Sequence, residues 1–389
     1  MRFNNTETAF SLKNNIELRR AYFLFKLITY PILVSLGKFL IMISVKLKLP
    51  VNRIIRLTVF DQFCAGIDEK DSLRIVNLLS TKNVKSYLHY SVEGAISEKD
   101  YDNCLNTTLK TLNISKNNSS LPFSVFKPTG YGSSILFRKK SENITLNSDE
   151  LKSWNRIVNR FRTTFNKAKD IGISVFVDAE ESWIQPAIDN LVEEMMIEFN
   201  KEKPVVFNTV QMYRKGRYEY LKRLNNKSLK YNFKIGIKLV RGAYMEMERI
   251  RAKKMNYPSP ICDSKIETDK QYDDGIQFMF NNIDRFCMFL GSHNEVSAKK
   301  AIDLAIKNSI PSSDPNLSFG QLYGMSDNIT FSLAKSGYRA VKYLPYGPIK
   351  EVVPYLIRRA NENSSVSGQS NRELDLISAE LKRRKEFKD

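Results

Sequence analysis

The stretch KIGIKLVRGAYMEMERIRA at residues 234–252 sets Lys238 and Arg241 at the end of an apolar run, ahead of Gly242 and Ala243. Two cations beside nearly bare backbone suit a polyanionic ligand: the turn lets a flat ring or a phosphate approach while the cations balance its charge. A second signal is YLIRRANEN at 355–363, where Arg358 and Arg359 are adjacent. Guanidiniums bind carboxylates through paired hydrogen bonds. Neighbouring helical residues point about 100° apart, so both reach one ligand only when the helix sits over it end-on. Each feature also has a plainer reading. Lys238 could extend its stem along a barrel end, Arg241 could pair with a nearby carboxylate, and a double arginine is ordinarily a solvated helix face. The apolar VVPYLI before the arginines argues for burial, whereas KRRK at 382–385 fits the solvated face.

Polar side chains recur at the ends of other apolar runs: Glu93, Lys127, Asp178, Asn208, Gln211, His293, Asn294, Gln321 and Tyr343. The set contains no Ser–His–Asp order, no metal cluster and no well-placed pair of acids. His89 and His293 are the only histidines, which argues against triad hydrolysis and histidine-rich metal sites. Cys64, Cys104, Cys262 and Cys287 lack metal-ligand spacing and read as reduced thiols of a cytosol-like compartment. The remainder is rich in donors. Such a site binds an anion or an electron-rich cofactor and orients chemistry that the cofactor performs. At one strand end the plain reading of each cation would prevail; the same pattern at eight strand ends favours a site.

The elements that must position these residues are legible. Eight short apolar or β-branched runs lie at 84–94, 122–130, 173–181, 204–213, 235–244, 286–294, 317–325 and 338–347, separated by amphipathic helical segments. Strands alternating with helices imply parallel βαβ units, and eight of them imply a distorted (βα)8 TIM barrel whose chemistry sits at the C-terminal strand ends. An open doubly wound sheet is the rival fold, but GYGSSI at 130–135 puts Ile135 where its phosphate-binding fingerprint needs a third glycine. Residues 1–80 show helical patterns only and read as an N-terminal helical arm, residues 81–367 as the barrel, and 368–389 as a C-terminal amphipathic helix. A polar link, SGQSN at 367–371, separates that last helix from the arginine helix.

Sixty-one basic against 42 acidic residues leave a net charge of +19, which raises nucleic-acid and anionic-membrane readings. No known nucleic-acid module or aromatic-laced basic patch is present, so no nucleic-acid partner is expected. In the apolar N-terminal stretch the longest uncharged run is LITYPILVSLG at 27–37, too short to span a bilayer and interrupted by Pro31. It does not read as a signal peptide. The expectation is packed helices lying on the main domain with a cationic outer face, with an interfacial membrane helix as the rival.

The ordered motifs FKPTG, VDAEE, NTVQMY, KLVRGAYM, SHN, GQLYGM, YLPYGP and YLIRRANEN resemble proline dehydrogenase, the FAD enzyme family of proline catabolism. The resemblance runs from FDQFCAGID at 60–68 to the C-terminal helix. It implies a distorted barrel with the flavin at the C-terminal strand ends and the last barrel helix over the site. It implies that Arg358, Arg359 and Lys127 hold the substrate carboxylate, that Tyr343, Tyr355 and Leu322 pack on the ring, and that Glu93 gates the site by pairing with the first arginine. Asp178 then belongs to a catalytic network near Lys127, and Lys238 reaches flavin N5. Many members carry arginine at that position; lysine offers a point charge without a fork. The FAD contacts implied are Ala179, Gln211, Val240, Arg241, Gly242, Ala243, Ser292, His293, Asn294, Glu362 and Asn363. Ser292 stands where threonine is common and keeps the hydroxyl.

The activity so implied is oxidation of L-proline to Δ1-pyrroline-5-carboxylate, with electrons passed to a membrane quinone and the product taken by a separate pyrroline-5-carboxylate dehydrogenase. Localisation would be cytoplasmic, with a peripheral contact at the inner face of the membrane through the basic arm. Hydroxyproline oxidation is the rival within the family; Tyr343 occupies the space a ring hydroxyl needs and favours proline.

Overall fold

A computed structural model describes residues 1–47, 52–91, 94–365 and 367–386. Its eight strands are β1 (Lys85–Tyr90), β2 (Phe123–Phe126), β3 (Ser174–Val177), β4 (Val206–Gln211), β5 (Ile235–Val240), β6 (Phe286–Gly291), β7 (Leu317–Leu322) and β8 (Arg339–Tyr346). Each lies within one of the eight apolar runs. They form a single sheet in the order β1-β8-β7-β6-β5-β4-β3-β2, with β1 beside β8 as a (βα)8 barrel requires. The chain divides into two compact units, Gly94–Phe319 and Met1–Glu93 with Gly320–Asp389.

In the Gly94–Phe319 unit, parallel register pairs Val125 with Phe176, Phe176 with Phe207, Phe207 with Gly236 and Lys238 with Phe289. Paired residues of parallel strands share a face, and faces alternate along each strand. One face therefore carries Phe123, Phe176, Phe207 and Phe289, whose rings pack on one another: Phe176 lies 4.6 Å from Phe123 and from Phe289, and 5.4 Å from Phe207. β5 contributes Gly236 to this layer because a Cβ there would meet the Val206 carbonyl at 2.5 Å and the Phe207 ring at 2.6 Å. Lys127, Asp178, Gln211 and Lys238 continue the same alternation toward the C-terminal ends.

The opposite face packs on the helices. Asn208 donates to Asp189 (2.9 Å) on helix Gln185–Phe199 and to Tyr220 (2.8 Å) on helix Arg217–Tyr231. Arg217 bridges to Asp189 at 2.7 Å, and Gln185 donates to Asp189 at 2.9 Å. Asn208, a polar strand end by sequence, is thus part of the barrel wall.

In the other unit, β1 pairs with β8, aligning Tyr87 with Tyr343 and His89 with Pro345. Gln321 also turns outward, accepting from Thr330 on helix Asp327–Lys335 at 2.9 Å. Helix Asn15–Ile28 is amphipathic and buries Leu18, Ala21, Leu24, Phe25 and Ile28, leaving Arg19 and Lys26 exposed as expected. Helix Pro31–Lys46 packs on helix Asn15–Ile28 and helix Ile349–Ser365 with Val34 and Ile41 half-buried, but none of its described side chains is fully buried. The polar link expected at 367–371 is also absent, because helix Ser367–Glu386 runs through it. Ser370 is buried there, and Glu373 accepts from the Ser326 amide at 2.6 Å, so tertiary contacts override weak helix propensity.

Candidate functional site

Segments at the C-terminal strand ends of the Gly94–Phe319 unit are laced together by side-chain bonds. Thr129, two residues beyond Lys127, donates its amide (3.2 Å) and hydroxyl (2.7 Å) to Glu180. The Glu180 carbonyl accepts from Gln211 at 2.8 Å, and its amide donates to Gln185 at 2.8 Å. Ser182 donates its amide (2.6 Å) and hydroxyl (2.7 Å) to Glu248, a buried residue of helix Met245–Met255. The loops after β2 and β3, the end of β4 and the helix that follows β5 therefore hold one another in place.

Over the phenylalanine layer, Lys238 donates to Asp178 at 2.6 Å, and its ammonium lies 5.2 Å from the centre of the Phe176 ring. The side chains retain 9% and 15% exposure, so the pair is shielded yet reachable. Glu180 is buried, and burial pushes its carboxyl up to about 7 against the lowering effect of the Lys127 charge; Glu181 adds to the rise. Glu180, near Lys127, belongs to the DAEE motif, but its sequence position alone does not single it out.

Arg241 donates to Asp269 (2.7 Å), Ser292 (3.0 Å) and Ser297 (2.8 Å), and its guanidinium lies 4.2 Å from the centre of the Tyr272 ring. This is the carboxylate pairing that the plain reading allowed, yet it also fixes the cation beside the turn. Gly242 follows at φ 98°, in the left-handed region, with open space where a Cβ would stand. Asn294 caps helix Glu295–Lys307, accepting from the amides of Val296 (2.8 Å) and Ser297 (3.1 Å). Val240, Ala243, Ser292 and His293 are half-buried, and Ala179 is buried. Gln211 is buried with its carboxamide bonded to Glu180, Tyr213 and Arg214. A backbone open at Gly242, a fixed guanidinium and hydroxyl, amide and imidazole groups suit a phosphate-bearing ring cofactor.

The other unit gathers an aromatic set. The Tyr343 hydroxyl is hydrogen-bonded to His89 Nδ1, and Ser91 Oγ lies 3.1 Å from the same nitrogen. Tyr343 packs edge-on against Tyr87 at 5.2 Å and lies 6.3 Å from Tyr355. Tyr355, Arg358 and Arg359 lie on helix Ile349–Ser365, with the Arg359 guanidinium 5.5 Å from the centre of the Tyr355 ring. Both arginines are half-buried, as VVPYLI suggested, and Leu322 ends β7 half-buried. Glu93 lies outside the described residues. Glu362 and Asn363 extend the same helix, and their side chains lie outside those described. His89 was noted in the sequence only as a rare residue; its partnership with Tyr343, 254 positions away, depends on β1 lying beside β8.

A family model described as proline dehydrogenase matches residues 73–372. The chain is 38% identical over 307 residues to the carbapenem antibiotics biosynthesis protein CarD of Pectobacterium carotovorum subsp. carotovorum, covering 79% of each chain. It is 32% identical over 379 residues to proline dehydrogenase 1, mitochondrial, of Dictyostelium discoideum, covering 86% of this chain and 66% of that one. It is 29% identical over 414 residues to hydroxyproline dehydrogenase of Xenopus laevis, covering 96% and 88%. Among solved structures, proline utilization A from Bdellovibrio bacteriovorus inactivated by N-propargylglycine shares the fold, with a TM-score of 0.72 at 22% identity over 92% of this chain and 38% of that one.

Proposed function

As the chain belongs to the proline dehydrogenase family, we propose that it oxidises L-proline to Δ1-pyrroline-5-carboxylate with FAD, in the cytoplasm, and passes the electrons to a quinone. The observation that carries this reading is the placement of Lys127, Asp178, Gln211 and Lys238 on one strand face above the phenylalanine layer. FAD, when bound, supplies the acceptor for the hydride leaving proline C5. Arg241, Gly242, Ala243, Ser292, His293 and Asn294 would hold it, with Ala179, Gln211, Val240, Glu362 and Asn363.

Lys127, Arg358 and Arg359 bind the proline carboxylate, while Tyr343, Tyr355 and Leu322 pack on its ring and exclude water; Glu93 gates entry. Only the neutral amine leaves a stable iminium after losing a hydride, so the site must favour deprotonated proline. Cations around the carboxylate disfavour a second positive charge nearby and so help strip that proton. Asp178 holds the Lys238 ammonium in place, where it offsets negative charge developing at the reacting centre. The product passes to a separate pyrroline-5-carboxylate dehydrogenase.

Hydroxyproline is the second reading, favoured by the likeness to a hydroxyproline dehydrogenase. The His89 bond and Tyr87 contact fix the position of Tyr343; if that ring packs on the substrate, it leaves no room for a ring hydroxyl and supports proline. The test is the visible spectrum of the purified protein before and after anaerobic L-proline, repeated with hydroxyproline. Flavin bands bleached by proline support the proposal, and Arg358→Ala or Arg359→Ala should slow that bleaching. Preferential bleaching by hydroxyproline overturns the substrate. A protein that cannot be reconstituted with FAD overturns the reaction.

A further inference from the structure

The turn that carries Lys127 is anchored at both ends, and one buried carboxylate holds its middle. Its near end leaves β2, where the Phe126 carbonyl accepts from the Asp178 amide at 3.0 Å. Pro128 then opens a single tight turn, Pro128–Gly130. The Gly130 amide donates to the Lys127 carbonyl and the Tyr131 amide to the Pro128 carbonyl, both at 2.9 Å. Tyr131 anchors the far end. Its buried ring stacks on Phe126 at 4.2 Å, its hydroxyl lies 2.8 Å from Thr164 Oγ1, and its carbonyl accepts from Arg160 at 3.0 Å. Lys127 and Thr129 lie between these anchors, both half-buried.

Thr129 gives its amide and its hydroxyl to the Glu180 carboxylate. Glu180 is buried, and a carboxylate leaves water only where its hydrogen bonds offset the lost hydration. Its place is set independently of Thr129, because its own amide and carbonyl are tied to Gln185 and Gln211, both buried. The carboxylate is therefore the fixed partner and the turn the held one. Bonds to an ionised acceptor are about twice as strong as neutral ones, so the grip is firm. The Lys127 charge also acts on this carboxyl. The group that holds Thr129 thus acts on the lysine two residues earlier. A lysine loses rotamer freedom when it binds a ligand, and a turn held beforehand lowers that cost.

We propose that Glu180 is a positioning residue for Lys127: by holding Thr129 at two points, it keeps the Lys127–Gly130 turn in an arrangement that presents the lysine ammonium to a substrate carboxylate. This rests on the reading above in which Lys127 binds that carboxylate, and it adds the group that sets the lysine in place.

The test is a cycle of variants on the FAD-loaded full chain, with binding of cyclopentanecarboxylate measured by calorimetry. This ligand keeps the ring and carboxylate of proline but has no amine to oxidise, so its dissociation constant reads carboxylate binding without turnover. Thr129→Val should weaken binding about tenfold, the scale of one hydrogen bond to a charged group. Thr129→Ser keeps the hydroxyl and should bind like the parent. In a Lys127→Met background, Thr129→Val should cause no further loss, because its effect passes through the lysine. If Thr129→Val does not fold, Glu180→Gln completes the same cycle; it keeps an acceptor and drops the charge, with an expected loss of about threefold. Equal losses with and without Lys127 overturn the proposal, as does parent-like binding by Thr129→Val. Parent-like binding by Lys127→Met, or no binding by the parent, faults the carboxylate role of Lys127 itself, and the proposal falls with it.

Discussion

Two buried lysine–aspartate pairs, one in each compact unit, show how little residue type says about role. Lys238 on β5 meets Asp178 at 2.6 Å, and Lys342 on β8 meets Asp327 at 2.8 Å. Both lysines sit among apolar strand residues. Lys238 shares its face with Gly236 and looks over the aromatic layer. Lys342 lies on the opposite face from Tyr343 and turns to helix Asp327–Lys335, where its ammonium also donates to the Leu322 and Met325 carbonyls. Only 1% of the Lys342 side chain is exposed. Burial lowers the pKa of Lys342 despite Asp327; Asp327 stays below the usual carboxylate range because Lys342 and Lys13 outweigh burial. One pair is closed, and the other, less enclosed, lies at the candidate site.

Lys342→Met should have the largest effect. It leaves Asp327 with Lys13 at 3.5 Å as its remaining ion pair, and breaking a buried pair from one side costs about 3–5 kcal/mol. Urea unfolding should record that loss; a cost below about 1 kcal/mol would break the comparison. Lys238→Met should instead lower kcat by about 100-fold, the scale of losing one positioned donor. Its unfolding midpoint should move far less than that of Lys342→Met. Equal destabilisation of the two variants would make both pairs structural.

The third prediction concerns Glu373, whose carboxyl burial and the neighbouring Asp327 push up to about 7. A raised folded pKa means this group contributes most below its unfolded value and loses that contribution as pH rises toward 7. Glu373→Gln keeps an acceptor for the Ser326 amide and cannot ionise. Stability should therefore match the parent near pH 4 and exceed it above pH 7, measured by urea midpoints across that range. A constant difference at every pH would rule out titration of Glu373. The smallest effect is expected from Ser292→Ala, which removes one of the Arg241 partners but leaves Asp269 and Ser297. About 0.5–1.5 kcal/mol in FAD affinity is the scale of one hydrogen bond, readable by flavin fluorescence titration.

Much of this was readable from residue order. The eight runs each hold a strand because β-branched and aromatic residues with short polar ends favour that local geometry. Arg358 and Arg359 are half-buried, as the apolar turn before them implied. The donors at 208 and 321 were indistinguishable in sequence from those at 127 and 211, yet Asn208 and Gln321 face helices. Counting by twos separates the faces only when a register is known, and register comes from pairing with another strand. The apolar content of helix Pro31–Lys46 implies burial, yet it packs by one side only and leaves Ile32, Leu36, Phe39 and Leu40 exposed; how much of an apolar helix is covered depends on what surrounds it.

By itself the sequence determined the alternation of strand and helix, the positions of the strand ends and the donor-rich chemistry there. These depend on backbone preference and on side-chain type, which are local. Tertiary structure alone decided which lysine lies over the phenylalanine layer, that His89 bonds Tyr343 across 254 positions and that Gly236 makes room for Phe207. Those outcomes depend on which strands become neighbours and in what register, because a shift of one residue exchanges the two faces of a strand.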